Sequence, residues 1–271
     1  MWTLRHRAEC ALDRLRTAAP EQVFVAMLDI PRLLRHPVWR GADPDQGAGQ
    51  GVLLVPGFGF GDHSLALTGA WLRARGYLPA SAGVGINVGC TTDLVDRIEK
   101  RLIAHAAATG GQVVLLGQSR GGWLARLAAV RRPDLVRGLA MLGSAVLDPL
   151  GAHPHVIRTA SMLARLSAIG APGLLDQDCL SGTCYRANAT ALAAPLPSDV
   201  PALAIYSRSD AIAPWHLCLD PSAECVEIHS SHTGMGLHPD FFTVLEPRLA
   251  AWAGRDDMPR ISPADARSKA C

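Results

Sequence analysis

Residues 113–131 read VVLLGQSRGGWLARLAAVR, and this segment is the most informative part of the sequence about the architecture. Four consecutive apolar residues, 113–116, lead into the motif GQSRG at 117–121, and a helical pattern follows at 122–131. The flanking glycines permit a sharp turn that places the hydroxyl of Ser119 beyond the end of a strand. The sequence therefore predicts a buried strand, a tight turn and a helix in direct succession.

Three further apolar quartets occupy residues 52–55, 139–142 and 202–205, and Gly, Pro or Ser lies close to both ends of each. Continuous apolar runs of this length are typical of strands in a parallel sheet that is covered on both faces. Helical periodicity predicts helices at 63–75 and 92–108. This alternation of strands and helices predicts an α/β fold with a doubly wound, mostly parallel sheet.

The chain of 271 residues is predicted to form one α/β domain at 47–252. Residues 1–46 are predicted to be an N-terminal helical extension. Its basic amphipathic pattern is also compatible with peripheral contact with a membrane surface. An insertion at 144–198 contains one predicted helix, 155–169, and is predicted to form a helical cap. Residues 253–271 are predicted to be a polar tail.

The charge balance excludes a nucleic-acid-binding surface as the basis of function. The chain has 26 Lys and Arg against 24 Asp and Glu, so the basic surplus of a nucleic-acid-binding protein is missing. No apolar run approaches the roughly 18 residues that span a bilayer, and the first residues lack the pattern of a secretory signal. We therefore expect a cytoplasmic protein without a transmembrane segment, and the oligomeric state stays open.

No metal or other cofactor is expected from the sequence. The seven cysteines are an odd number, which disfavours a fully paired disulfide framework. Two close pairs, Cys179 with Cys184 and Cys218 with Cys225, leave local disulfides open, but neither has the spacing of a zinc site. The glycine-rich turn at 57–61 lacks the third glycine of a dinucleotide-binding loop, and no phosphate-binding loop occurs elsewhere.

Ser119 is the candidate nucleophile, and it needs a base and a group that orients this base. Asp210 follows the last apolar quartet, and His232 follows a short predicted strand at 226–229. Both positions lie at the carboxyl ends of predicted strands, where functional groups gather in open α/β sheets. Asp148, after the third quartet, is the rival acid. The sequence predicts a triad of Ser119, His232 and Asp210, in the chain order Ser, Asp, His.

An acyl-transfer site also needs donors for the negative charge that develops on the carbonyl oxygen. We expect these donors to be the backbone N–H groups of Phe58, in the turn after the first strand, and of Arg120, next to the nucleophile. Gly57 of the same turn is predicted to bind substrate. Leu163 and Leu166, on the apolar face of the cap helix, are predicted to line the pocket.

From about residue 51 to residue 252 the chain resembles the lipase/esterase branch of bacterial α/β-hydrolases. The resemblance is carried by five segments: VLLVPGFGFGD at 52–62, GINVGC at 85–90, the stretch 113–144 with GQSRG at 117–121, the stretch 201–215 with YSRSD at 206–210, and the stretch 226–239 with SSHTGMG at 230–236. It implies the same triad and a cap over an acyl pocket. Two departures are Arg120, where lipases usually carry a smaller or apolar residue, and the short insertion.

The resemblance implies a serine carboxylic-ester hydrolase that works through an acyl-enzyme on a small-molecule or lipid ester, as in lipid metabolism. Thioesterase, acyltransferase and polyester depolymerase activities remain alternatives that use the same triad. A non-catalytic binding protein on this fold is the third hypothesis, because fold alone does not fix function. The complete set of Ser, Asp and His in the expected order speaks against it.

Overall fold

A computed structural model of the chain describes residues 29–254. The predicted N-terminal extension is therefore described only from residue 29 onward, and the predicted tail, apart from its first two residues, lies outside the described part. Residues 29–35 are helical, and a short helix, α1 (Pro37–Arg40), follows directly. Across the described residues, no helix has both the length and the apolar character needed to cross a membrane.

Six parallel strands form one sheet in the order β2-β1-β3-β4-β5-β6. The strands are β1 (Gly51–Val55), β2 (Leu78–Ser81), β3 (Val113–Gln118), β4 (Val136–Leu142), β5 (Ala202–Tyr206) and β6 (Glu224–Glu227). The four apolar quartets lie in β1, β3, β4 and β5, and the predicted doubly wound α/β fold is confirmed.

The helices that cover the sheet follow the strands along the chain. They are α2 (Ala66–Arg73), α3 (Thr91–Thr109), α4 (Arg120–Arg131), α5 (Pro154–Ala168), α6 (Asp178–Ser181), α7 (Thr183–Ala193) and α8 (Pro239–Ala253). Short 3₁₀ helices lie at Asp62–Leu65, Pro133–Leu135, Trp215–Cys218 and Met235–Leu237. The predicted helix at 63–75 thus begins as a 3₁₀ turn and continues as α2.

Two apolar layers explain why the central strands are continuously hydrophobic. Successive side chains of a strand point to opposite faces. Leu53 and Leu115 pack in one cluster with α3 and α4, whereas Leu54 and Leu116 pack in a second cluster with α2 and α8. Because helices cover both faces, every residue of the four apolar quartets is buried.

The two edge strands were predicted less well from the sequence than the four central strands. No strand was predicted at β2, where Leu78 is 49% exposed and Pro79 interrupts the apolar pattern. At β6 the strand begins at Glu224 rather than at the predicted residue 226, and it ends at Glu227. Edge strands have one unpaired side and more solvent contact, so their side chains carry a weaker apolar signal.

The insertion contains more helix than the sequence predicted. The predicted helix at 155–169 is observed as α5, but α6 and α7 were not predicted. Helix α6 has only four residues, which is too short for a periodic pattern. Helix α7 buries only Asn188 and Leu192, and Leu192 joins the apolar cluster on the α4 side of the sheet. One polar and one apolar buried residue give no amphipathic stripe that a sequence could reveal.

Candidate active site

Ser119 occupies the sharp turn between β3, which ends at Gln118, and α4, which begins at Arg120. Its backbone has φ +54° and ψ −123°, a conformation that L-residues rarely adopt and that costs on the order of 1–3 kcal/mol. The N–H group of Ser119 donates to the carbonyl of Leu142 in β4 at 2.7 Å. Neighbouring strands thus hold the serine in a strained backbone beyond the sheet.

The glycines of the motif are explained by close backbone approach. A Cβ atom at position 117 would overlap the carbonyl oxygen of Gly121, and a Cβ at position 121 would overlap the carbonyl oxygen of Val55. A larger residue at either place would push the start of α4 away from β1 and β3. Gly117 and Gly121 are therefore required for the turn that presents Ser119.

Asp210 and His232 form a buried pair at the carboxyl ends of β5 and β6. Oδ2 of Asp210 lies 2.6 Å from Nδ1 of His232, and the Asp210 side chain is only 1% exposed. The other oxygen, Oδ1, accepts the backbone N–H groups of Ile212 and Ala213, each at 2.8 Å. With both oxygens engaged, the carboxylate holds the imidazole by Nδ1 and leaves Nε2 available for proton transfer.

Two residues that the sequence analysis missed support this pair. Gly143, directly after β4, has φ +56°, and a Cβ at this position would lie 3.2 Å from Oδ2 of Asp210 and 3.3 Å from Nδ1 of His232. Gln118 donates from Nε2 to the backbone carbonyl of His232 at 3.3 Å. The signal for Gly143 was its position immediately after an apolar quartet, but nothing in the sequence linked it to His232.

The turn after β1 lies against the serine, and Asn87 holds it there. A Cβ at Gly57 would be 3.4 Å from the Cβ of Ser119. Buried Asn87 donates from Nδ2 to the carbonyl of Pro56 at 2.7 Å, and its own carbonyl accepts the N–H of Gly59 at 3.1 Å. Asn87 thereby braces the turn on both sides, a role that the sequence analysis did not foresee.

The two predicted oxyanion donors border the same space. Phe58 and Arg120 both line the cavity that contains Ser119. Within residues 29–254, neither backbone N–H donates to another described residue. Arg120 is the first residue of α4, where an N–H group has no partner inside the helix. Both amides are therefore available to bind an anionic oxygen. At Arg120, the position at the N-terminus of α4 also favours negative charge.

The side chain of Arg120 has a different role from its backbone. It is 8% exposed and donates from Nη2 to the carbonyl of Gly89 at 2.8 Å and to Oγ1 of Thr91 at 3.2 Å. A third contact, at 3.4 Å, reaches the carbonyl of Asn87. Burial lowers the pKa of Arg120 to about 10, against the opposing effect of nearby cysteines. The guanidinium therefore links the turn at Ser119 to the segment 87–91.

A cavity of about 590 Å³ opens beside Ser119, and most of its wall is apolar. Of the predicted site residues, the following five line it: Gly57, Phe58, Ser119, Arg120 and His232. Asp210 is not in the wall but lies behind His232. Helix α5 contributes Val156, Ile157 and Ala160.

Leu163 and Leu166 do not line this cavity, contrary to the expectation from the sequence. At 3.6 residues per turn, Leu166 points away from the face of α5 that carries Ile157 and Ala160, and it is 37% exposed. Leu163 packs instead in a small apolar cluster with Leu175. The apolar stripe of α5 is broader than the part that borders the cavity, so its periodicity alone selected the wrong leucines.

The rival acid Asp148 caps its own turn. Its Oδ1 accepts the N–H of Leu150 at 3.1 Å, and it pairs with no histidine of the described chain. Asp210 is the acid that meets His232.

The five cysteines of the described part are free thiols. Neither of the two close pairs forms a disulfide, and Cys218 and Cys225 bond separately to the carbonyls of Pro214 and Asp220. Burial raises the pKa of Cys218, and the charge of Asp210 adds to this effect. The sequence analysis did not predict that Cys90, Cys179 and Cys184 lie together, because Cys90 is far from the other two along the chain.

Sequence comparison identifies the family of the chain. The family model described as "Alpha/beta hydrolase family" matches residues 52–269, which is most of the chain. The sequence matches no curated protein.

Many solved structures share the architecture. The mature lipase BlEst2 of Bacillus licheniformis has a TM-score of 0.57 at 14% identity, covering 77% of this chain and 94% of that one. The metagenome-derived lipolytic enzymes LipS and LipT give 0.54 at 20% identity, with coverage of 75% and 94%. MGS-MChE2, an alpha/beta hydrolase from a lagoon-sediment metagenome, gives 0.52 at 19%, with coverage of 78% and 93%. At these identities the similarity concerns the fold.

Proposed function

This chain belongs to the alpha/beta hydrolase family, and from that premise we propose that it is a serine carboxylic-ester hydrolase. In this proposal Ser119 is the nucleophile, His232 the general base and Asp210 the group that orients it. One observation supports the proposal above the others. Ser119 and His232 line one apolar cavity, and the buried carboxylate of Asp210 lies 2.6 Å behind the imidazole.

In the first half-reaction, Oγ of Ser119 attacks the carbonyl carbon of the ester while its proton passes to Nε2 of His232. The negative charge moves to the carbonyl oxygen, where the N–H groups of Phe58 and Arg120 are the proposed donors. The imidazolium then returns the proton to the departing alkoxide, and an alcohol leaves. The product is an acyl ester of Ser119.

In the second half-reaction, water attacks the acyl-enzyme and gives its proton to His232. The proton returns to Oγ of Ser119 as the tetrahedral intermediate collapses, and a carboxylic acid leaves. Asp210 takes no proton from the imidazole in these steps, because its role is to hold the imidazole in one tautomer and to stabilise the imidazolium. The chemistry requires only these side chains, two backbone amides and water.

The wall of the cavity favours an ester with an apolar acyl chain. Val156, Ile157 and Ala160 of α5 border the space next to Ser119, and further apolar side chains from α7 and the 144–152 segment complete the wall. The BlEst2, LipS and LipT enzymes with similar folds are named as lipases or lipolytic enzymes. Their names agree with an acyl-ester substrate for this chain.

The proposal is tested with a fluorophosphonate probe and a series of p-nitrophenyl esters from acetate upward. We expect the probe to label Ser119, as located by peptide mass spectrometry, and the esters to be hydrolysed. Ser119→Ala should remove the label and lower kcat by roughly 10⁴–10⁶. Ser64→Ala is the matched control, because Ser64 lines the same cavity, and it should keep both label and turnover.

The acyl acceptor and the leaving group are examined with the same protein. Acyl thioesters and added alcohols are supplied beside the oxygen esters, and kcat/KM for each is compared. Faster turnover of thioesters, or transfer to alcohol in preference to water, would replace the ester hydrolase by a thioesterase or an acyltransferase. If Ser119→Ala retained more than about a tenth of the esterase activity, the nucleophile itself would be misassigned.

A further inference from the structure

Three cysteines from distant parts of the chain meet beside the candidate active site. Cys90 immediately precedes α3, Cys179 lies in α6 and Cys184 lies in α7. Sγ of Cys184 is 3.5 Å from Sγ of Cys179 and 3.8 Å from Sγ of Cys90, and all three sulfur atoms lie within 4.8 Å of one another. The cluster joins the cap to the main domain.

These separations fit thiolates around a single metal ion. A Zn–S bond is about 2.3 Å, so two sulfur ligands of a tetrahedral zinc lie about 3.8 Å apart. The two sulfur pairs centred on Cys184 match that spacing closely. Soft thiolate ligands select zinc or Cu(I) over Mg²⁺ or Ca²⁺, which prefer oxygen. The ligand set therefore restricts the candidates to soft or borderline metals.

The surroundings of Cys184 resemble the second layer of hydrogen bonds around a metal ligand. Asn188 donates from Nδ2 to Sγ of Cys184 at 3.5 Å, and Oγ1 of Thr92 lies 3.3 Å from the same sulfur. Asn188 also donates to Oγ1 of Thr92 at 3.1 Å, which fixes both groups. Hydrogen bonds to ligating atoms orient them and tune the metal.

The charge of buried Arg120 supplies an independent argument. Its polar contacts are neutral oxygens of Asn87, Gly89 and Thr91. Among residues 29–254, no carboxylate forms an ion pair with it, and the three cysteines are the ionisable neighbours that oppose the lowering of its pKa by burial. Buried charges are normally paired. One Zn²⁺ with three thiolates carries a net charge of −1, which balances a single guanidinium, whereas Cu(I) with three thiolates would carry −2.

We propose that Cys90, Cys179 and Cys184 bind one Zn²⁺ ion, with water as the fourth ligand, and that this ion pins the cap helices α6 and α7 to the main domain. Binding releases three protons from the thiols to solvent and involves no oxidation. The zinc is structural, and because Cys179 also lines the cavity, the ion stiffens that part of the cavity wall. The proposal does not depend on which reaction Ser119 performs.

A disulfide is the competing use of these thiols. It would join Cys184 to only one of its two neighbours and would require an oxidant to accept two electrons. It would leave the third cysteine unused and Arg120 without a counter-charge. Zinc binding uses all three sulfur atoms, and the two possibilities differ in metal content and in the number of free thiols.

The test measures zinc in the full chain, purified without a polyhistidine tag and desalted. Mass spectrometry of the metal should give about one zinc per chain, and Cys184→Ser should lose it. A control variant, Cys225→Ser, should keep the zinc. Cys225 is exposed and does not belong to the group of three cysteines that lie together. Replacing zinc by Co²⁺ in the wild type should produce a thiolate-to-cobalt absorption band in the near ultraviolet.

Cobalt binding keeps the test informative if Cys184→Ser does not fold, because it uses the wild-type chain alone. Alkylation of free thiols in the denatured protein, with a chelator and without reductant, should find Cys90, Cys179 and Cys184 reduced when the modified peptides are read by mass spectrometry. Loss of thiol signal that reductant restores would show a disulfide and overturn the proposal. Wild-type protein without zinc and without the cobalt band, or zinc retained in Cys184→Ser, would overturn it equally.

Discussion

Oδ2 of Asp210 lies 2.6 Å from Nδ1 of His232, and the carboxylate that makes this contact is almost fully buried. Its second oxygen is occupied by two backbone N–H groups, so the carboxylate cannot rotate away from the imidazole without losing both. A buried carboxylate in such a bonded setting fixes one tautomer of His232, with the proton on Nδ1. Asp210 and His232 thus form one hydrogen-bonded unit.

Replacing this carboxylate should disable the site. We expect Asp210→Asn to lower kcat by about 10⁴, because an amide that donates to Nδ1 stabilises the wrong tautomer. Asp148→Asn is the control: Asp148 only caps a local turn through the N–H of Leu150, and a few-fold change at most is expected. The measurement is kcat on a p-nitrophenyl ester. Equal losses in the two variants would mean that Asp148 is as strong a candidate as Asp210 for the acid that orients His232.

Gly143 permits the close approach of this pair, and an added methyl group should disturb it. In Gly143→Ala the new Cβ would press against Oδ2 of Asp210 and Nδ1 of His232, at 3.2 and 3.3 Å. A displacement on the order of 1 Å in a catalytic pair costs about 10² in rate, so kcat should fall by about that factor. The kinetics are measured at saturating ester.

The matched control for this variant is Gly110→Ala. Gly110 has φ +72°, and a Cβ there meets nothing within 4 Å. Both variants pay about 1–2 kcal/mol for a left-handed alanine, which appears as lower thermal stability. Only Gly143→Ala should lose turnover. If Gly110→Ala lost as much kcat, the effect would be one of stability and not of the Asp210–His232 contact.

The central fold could be predicted because strands that are buried on both faces form continuous apolar runs in the sequence. Every residue of 113–116 is apolar because helices cover both sides of β3. The sharp turn at Ser119 could be predicted for a similar reason, because close backbone contacts require the glycines on either side of it and these glycines form a short recognisable motif. The edge strands β2 and β6 form no continuous apolar run, because their side chains are partly exposed to solvent.

The supports of the site are long-range contacts, and these leave no local pattern. Asn87 braces the turn at Pro56 across 31 positions, and Gln118 reaches the carbonyl of His232 across 114. Cys90 meets Cys184 across 94 positions. Residue types alone do not reveal such pairs, since each partner is ordinary in its own segment. The fold must first bring the segments together.

His105 makes the stability of the fold depend on pH. Burial lowers its pKa, and the charge of Arg101 adds to this, while the contact of its Nε2 with the carbonyl of Leu78 opposes it. Because the folded-state pKa lies below the unfolded value of about 6.5, the unfolded chain takes up the proton more readily. The contribution of His105 to the free energy of unfolding is complete above about pH 6.5, and it is lost as pH falls below that value and through the lower folded-state pKa.

His105→Gln removes this linkage and keeps an N–H donor for the carbonyl of Leu78. The free energy of unfolding is measured in urea at about pH 7.5 and about pH 5.5 for both proteins. We expect the wild type to lose more stability over this interval than the variant. The same loss in both proteins would mean that other groups produce the pH dependence.

The face of α5 that borders the cavity should set the preference for acyl length. Each methylene buried against Ile157 and its neighbours contributes about 0.8 kcal/mol, or about fourfold in kcat/KM, until the cavity is full. We therefore expect kcat/KM to rise over short esters and then to level off. Ile157→Trp adds a large side chain to the wall of the cavity and should move the plateau to shorter chains, with acetate esters still hydrolysed.

Leu166→Trp is the matched control, because it places the same indole on the same helix but on the exposed side. It should leave the chain-length profile unchanged, since the cavity wall is not altered. Comparing the two profiles separates filling of the cavity from any general effect of tryptophan on α5. A shift in Leu166→Trp but not in Ile157→Trp would mean that acyl chains bind along the exposed face of α5. No shift in either would place the acyl chain away from α5, against the wall formed by α7 and the 144–152 segment.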